Sequence, residues 1–247
     1  MEKLIVANWK LNPVTFKEAK QLFDAVKAAF AKASASQRNI KVVICPPFVY
    51  LPLLKGMTLG GQNISAEQKG AFTGEISALQ LKDLNVEYVI IGHSERRKYF
   101  GETDETVNKK IKTALEAGLK IIFCIGENDG EDKTVVFEKQ IEGGSKGVLR
   151  GDLKNIIIAY EPVWAIGTGK NCSIDQTLSS VLLIRKIISK WYNRDLAHDM
   201  KILYGGSVNS TNSAEYLKNG GVNGLLVGGA SLKAEEFIAI IKSTYGG

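Results

Sequence analysis

Eight short apolar runs, rich in β-branched residues, recur along the chain at intervals of roughly 30 residues. They are Leu4-Ile5-Val6, Val42-Val43-Ile44-Cys45, the less apolar residues 59–64, Val89-Ile90-Ile91, Ile121-Ile122-Phe123-Cys124, Ile156-Ile157-Ile158, Ile202-Leu203-Tyr204 and Leu225-Leu226-Val227. The runs are continuous. A strand with one wet face alternates apolar and polar side chains, whereas a strand buried on both faces does not. Continuous runs therefore predict a parallel sheet covered by helices.

Helical patterns fill the gaps. Residues 16–33 place Ala19, Leu22, Phe23, Val26, Ala29 and Phe30 on one face, and residues 106–117 do the same with Val107, Ile111, Ala114 and Leu115. The pattern over 173–191 opens with Ser173-x-x-Gln176, a capping box, and residues 235–242 form a short last helix. Residues 48–56 and 212–219 are weaker helical segments. No linker or low-complexity tract divides the 247 residues. Such alternation suits one α/β domain, either closed or doubly wound and open. Eight units in about 250 residues favour a single (β/α)8 barrel over residues 1–247.

Composition narrows the function classes. Apolar residues make up 45% and charged residues 23%, as in ordinary globular chains. No apolar run reaches the roughly 20 residues that span a bilayer, and the N-terminal run is too short for a signal-peptide core. The expectation is a cytoplasmic protein without membrane partners. Three sparse cysteines, Cys45, Cys124 and Cys172, argue against a disulfide framework or a zinc site. The net charge of +6 is scattered, with no module for nucleic acid; a mild positive field suits a small anionic substrate.

In a closed barrel, chemistry sits where strands end. Strand 6 ends at Glu161, with Pro162 behind it to keep it out of the helical region. A carboxylate there acts as a general base or makes a salt bridge. The next residues, Val163-Trp164-Ala165-Ile166 and then Gly167-Thr168-Gly169, have the composition of a lid. Gly-Thr-Gly-Lys fits neither the Walker nor the dinucleotide pattern, because Trp164, Asn171 and Cys172 stand at required positions. Strand 4 ends at His93, just before Ser94-Glu95-Arg96-Arg97. A helix start there disfavours imidazolium and leaves a neutral ring; a purely structural histidine is the alternative. His198 reads as a loop residue without a role. Strand 1 ends at Asn8-Trp9-Lys10, a place for a cation to meet an anionic substrate or another strand's acid, and Glu95 is a partner for it. Gly205-Gly206-Ser207 and Gly228-Gly229 close strands 7 and 8, where phosphate sites recur in this architecture.

The motifs Asn8-x-Lys10, Gly92 to Arg97, Tyr160 to Gly169, Tyr204 to Val208 and Val227 to Leu232 together resemble triosephosphate isomerase, from one end of the chain to the other. The resemblance implies a TIM barrel that interconverts dihydroxyacetone phosphate and glyceraldehyde 3-phosphate with no cofactor and no metal. It assigns proton abstraction to Glu161, carbonyl polarisation to His93, and substrate contacts to Asn8 and Lys10, with Lys10 also stabilising the developing negative charge; Lys10 and Glu95 thus join the catalytic set. Gly167, Ser207, Gly228 and Gly229 are implied to hold the phosphate. It implies a homodimer through the loop at residues 70–75, with Thr73 and Glu75 at the interface. The lid's far hinge departs from the family: Asn171-Cys172-Ser173 replaces small Thr and Ala residues, and Cys172 is expected to be an exposed, reactive thiol. The acidic loop 128–134 has no expected function. Two rivals stay open, another phosphate-binding barrel isomerase and a non-catalytic binding protein.

Overall fold

A computed structural model describes residues 2–34, 39–167 and 171–244. Among them eight strands close into a barrel in chain order: β1 (Lys3–Asn8), β2 (Ile40–Cys45), β3 (Thr58–Gly61), β4 (Tyr88–Ile91), β5 (Lys120–Ile125), β6 (Ile156–Tyr160), β7 (Ile202–Tyr204) and β8 (Gly224–Val227). Every neighbouring pair is parallel. β8 returns to β1, with Leu4 opposite Gly224 and Ala7 opposite Val227.

The continuous apolar runs now have a cause. Successive side chains point to opposite faces of a strand, and both faces are covered. Leu4, Val6, Val43, Ile90, Ile122, Ala159, Leu203 and Leu226 belong to a cluster filling the barrel. Their neighbours Ile5, Ile44, Val89, Ile91, Ile121, Ile158 and Leu225 pack outward in the larger layer beneath the helices. Each fully buried aliphatic side chain contributes about 1.5–3 kcal/mol by leaving water. The seam between β8 and β1 is too tight for a side chain at 224: a Cβ there would sit 1.8 Å from the Leu4 carbonyl oxygen.

Around the barrel run α1 (Phe16–Ser34), α2 (Ala78–Asp83), α3 (Ser94–Phe100), α4 (Asp104–Glu116), α5 (Lys133–Ser145), α6 (Ile174–Trp191), α7 (Arg194–Asp199), α8 (Ser213–Asn219) and α9 (Ala234–Ser243). No helix among the described residues is long and apolar enough to cross a membrane. The Ser173–Gln176 capping box forms as its spacing requires. Other segments differ from the sequence reading. The weak segment near 48–56 is a 3-10 helix over Phe48–Leu53, because Pro52 removes an N–H and blocks an α-helical turn. The third strand stops at Gly61, three residues early. Two helices carry no clear apolar stripe in sequence. α2 is a short helix set by a Ser77–Gln80 capping box, and α5 carries Gly143-Gly144 in its last turn, where the Phe123 ring fills the space of a side chain at 144. The acidic loop supplies the cap of α5, where Asp132 accepts from Thr134 N–H at 2.8 Å. His198 lies in α7 instead of a loop, with an 82% exposed side chain.

One buried polar cluster ties the strand 4 side together. Glu102 Oε1 accepts from Arg96 of α3 and from Lys110 of α4, both at 2.5 Å, and Lys110 also donates to Asn63 at 2.8 Å. Burial opposes the charge of Glu102, but the hydrogen bonds from Lys110 and Arg96 outweigh it and hold the carboxyl below its usual range. A depressed carboxyl contributes stability above its unfolded value, and that contribution is lost as pH falls through the folded value. Glu102→Gln is therefore expected to lower Tm by about 10 °C at pH 7, by stranding a buried cation. Melting curves on both proteins should converge below the ordinary carboxyl value of 4.5; a gap that stays constant from pH 7 to pH 3 would contradict the assignment.

Candidate active site

The C-terminal ends of the strands surround a cavity of about 250 Å³. Asn8, Lys10, His93, Glu161, Ile166, Gly167, Ser207, Gly228 and Gly229 all line it. A larger cavity of about 560 Å³ opens at the opposite end of the barrel, among Glu2, Lys41, Tyr88, Lys120 and Lys201. There Lys41 and Lys120 lie over the Tyr88 ring and Lys201 pairs with Glu2 at 3.0 Å, whereas the smaller cavity gathers the residues that the sequence singles out.

Glu161 follows β6 directly and is only 2% exposed. Two donors hold its carboxylate. The Ser94 N–H at the start of α3 donates to Oε2 at 3.0 Å, and His93 Nε2 lies 3.0 Å from Oε1. The histidine's other nitrogen explains the pairing. His93 caps α3, and its Nδ1 accepts the Glu95 N–H at 3.2 Å. An accepting Nδ1 carries no hydrogen, so the ring proton is on Nε2 and points into the cavity. The space for Glu161 is made by backbone. A Cβ on Gly205, after β7, would lie 3.0 Å from Glu161 Cγ.

On the other wall, Lys10 adopts a positive φ of 54° just past β1. Its N–H donates to Asn8 Oδ1 at 3.1 Å, its carbonyl accepts from Gln62 Nε2 at 2.9 Å, and its ammonium meets Glu95 Oε1 at 2.5 Å. Both side chains of that pair are about one-third exposed, so the ion pair adds little stability. Its effect is to aim the ammonium. A Cβ on Gly228 would approach Lys10 Cε at 3.3 Å, so the β8 end passes close beside the cation.

The loop after Glu161 forms a 3-10 turn, Val163–Ala165, and leads to Gly167 at φ 70°. Thr168, Gly169 and Lys170 lie outside the described residues. Ile166 faces the cavity, but Trp164 does not line it. Its Nε1 donates to Glu127 Oε1 at 3.1 Å, and Tyr160 donates to the same oxygen at 3.1 Å. Ser207 Oγ donates to the Ala165 carbonyl at 2.8 Å and so joins this loop to the β7 end. Cys172 corrects the expectation of an exposed thiol. It is fully buried against α6, and burial pushes its thiol up. Burial, joined by the Glu161 charge, likewise pushes Cys124 well up, so neither is a ready nucleophile. Thr73 and Glu75 sit on an exposed loop apart from the cavity.

Sequence reasoning missed Gln62, Glu127 under Trp164, and the closeness of Gly205 to Glu161. Gln62 follows Gly60-Gly61 at a strand end, a signal of the same kind as those that were used. Glu127 lies just past β5, and its partners come from β6 and the loop beyond, which no local pattern marks.

The architecture defines a class: a (β/α)8 barrel with an imidazole–carboxylate pair, a lysine and glycine-rich strand ends around one mouth. The family model for triosephosphate isomerase matches residues 3–244. Proteins named triosephosphate isomerase from Alkaliphilus oremlandii and Dictyoglomus thermophilum are 46% and 47% identical, over 98% of this chain and 99% of theirs. One from Geobacter metallireducens is 46% identical over 96% of this chain and 97% of its own. The chain belongs to the triosephosphate isomerase family.

The His93 tautomer is open to direct test. Nitrogen NMR of labelled protein at pH 7 should show a hydrogen on Nε2 and a bare Nδ1. A hydrogen on Nδ1 alone would break the capping bond from Glu95 and overturn the pairing described above.

Proposed function

We propose that the chain interconverts dihydroxyacetone phosphate and D-glyceraldehyde 3-phosphate through an enediolate, with residues 1–247 acting as one domain. The observation that carries the proposal is the Glu161–His93 pair: a carboxylate and an imidazole N–H that share one cavity with Lys10. A carboxylate held on two donors is a base in waiting. When substrate enters, Glu161 leaves the Ser94 N–H and His93, and takes the proton from the carbon beside the carbonyl. His93 Nε2–H then donates to the carbonyl oxygen and moves protons between the two enediolate oxygens. Lys10, aimed by Glu95 and Asn8, stabilises the developing negative charge. Backbone N–H groups at Gly167, Ser207, Gly228 and Gly229 take the phosphate. The loop from Pro162 shuts over the cavity, because a wet enediolate would expel its phosphate. The chemistry asks for no electron transfer, and we propose that neither a cofactor nor a metal takes part.

The reading extends to location and assembly. Three free, buried cysteines fit the reducing cytoplasm, in glycolysis and gluconeogenesis. A second copy would cover the exposed apolar side chains Leu11, Val14, Val49 and Phe72, with the 70–75 loop, including Thr73 and Glu75, reaching across.

A coupled assay on glyceraldehyde 3-phosphate tests the chemistry. Glu161→Gln is expected to reduce turnover by about 10²–10⁴-fold, the worth of a general base. Glu161→Asp, which withdraws the carboxylate by about 1 Å, should cost on the order of 10²-fold. Equal turnover in either variant would remove Glu161 from the base role, and a folded chain inactive on triose phosphates would favour the rival phosphate-binding isomerase. Sedimentation at micromolar protein should show a dimer; a stable, active monomer would defeat the assembly.

A further inference from the structure

The loop that follows Glu161 rejoins the body of the protein at Cys172, one residue before Ser173 caps α6. The Cys172 carbonyl lies outside the helical ladder of α6, so its hydrogen bond has to come from elsewhere. It comes from α8. The hydroxyl of Tyr216, a residue 2% exposed, donates to the Cys172 carbonyl at 2.5 Å. The same ring stacks on Tyr204, with centroids 4.1 Å apart and planes at 20°. Tyr204 is the last residue of β7 and leads directly into Gly205-Gly206-Ser207. The residue that precedes α8 holds that turn a second time, since Asn212 Nδ2 donates to the Ser207 carbonyl at 3.1 Å. Ser207 in turn bonds the Ala165 carbonyl at the loop's other end. One short helix and the residue before it thus touch the far hinge of the lid through Tyr216 and the turn at Ser207 through Asn212. Burial pushes the Tyr216 hydroxyl up, so it stays a donor at neutral pH.

We propose that Tyr216 is a positioning residue that holds the lid's C-terminal hinge in register with the turn at Ser207, so that the lid closes over a phosphate correctly placed beneath it. The inference rests on the isomerase reading. Nothing in the site itself requires a tyrosine on α8; a helix packed against β7 is satisfied by any apolar side chain at that place. The hydroxyl ties the hinge to α8, and the stack ties α8 to the last residue of β7, so one ring links the two segments.

Tyr216→Phe removes the hydroxyl and keeps the ring. Three quantities are read on this variant and on the unaltered protein. The first is amide hydrogen exchange over residues 172–177 without substrate. The second is KM against kcat for glyceraldehyde 3-phosphate. The third is inorganic phosphate released per isomerisation, the product of a leaking lid. There the enediolate's C–O bond to phosphate breaks, the bonding electrons leave with the phosphate, and the remainder takes up a proton to become a dicarbonyl. The expected result is exchange about three- to tenfold faster, the factor that one neutral hydrogen bond supports. KM and phosphate release should rise by a similar factor, with Tm moved by only a few degrees. Unchanged exchange would overturn the proposal. Faster exchange with KM and phosphate release unaltered would make the contact a tether and overturn the positioning role. Exchange is read without turnover, so an unaltered chain that fails to isomerise would sink the functional reading while the exchange still decides whether Tyr216 holds the hinge.

Discussion

The closure of β8 onto β1 is the constraint on which the rest depends. A parallel sheet left open exposes two edges, and side chains on its faces need separate cover. Closing it removes both edges and turns one face into an interior that Leu4, Val6, Ile90, Ile122, Leu203 and Leu226 fill. The seam admits the Leu4 carbonyl only because position 224 has no side chain. Once the ring is closed, all eight strand ends point to one rim, and groups far apart in the chain become neighbours there.

That rim explains how a carboxylate can be buried and still held stably. Glu161 is desolvated, and an isolated charge in such a place would be costly. The Ser94 N–H and His93 offset this by donating to it, and both come from the first turn of α3, whose free N–H groups favour a negative partner. The same turn orients His93 through the Glu95 N–H and aims Lys10 through the Glu95 carboxylate. A single helix start after β4 therefore organises three charged or polar side chains from three strands. The opposite wall is made of backbone, with Gly205 and Gly228 leaving room for Glu161 and Lys10 to lie where they do.

Much of this was legible in the linear chain because its causes are local. Apolar runs announce doubly buried strands, Ser173 and Gln176 announce a helix start, and the polar residues after each run mark the mouth. The failures are equally physical. α2 and α5 show little apolar stripe because a short capping box and the docking of Phe123 on Gly144 decide them. Cys172 looked exposed because it follows a glycine-rich loop, yet it is buried by α6 and by side chains that arrive from elsewhere. Trp164 looked like a cover for the site and is instead drawn toward Glu127, an acceptor 37 residues away.

By itself, the amino-acid sequence determined the number and order of the strands, the helix starts marked by caps, and the identity of the groups at the strand ends, since each rests on contacts within a few residues. It also determined the family. Only the tertiary structure decided which of those groups touch: Glu161 with the Ser94 N–H across 67 residues, Lys10 with Glu95 across 85, and Tyr216 with the Cys172 carbonyl across 44. The physical reason is that hydrogen-bond distance is set by barrel closure and helix docking, and no local propensity encodes a separation that only the closed ring imposes.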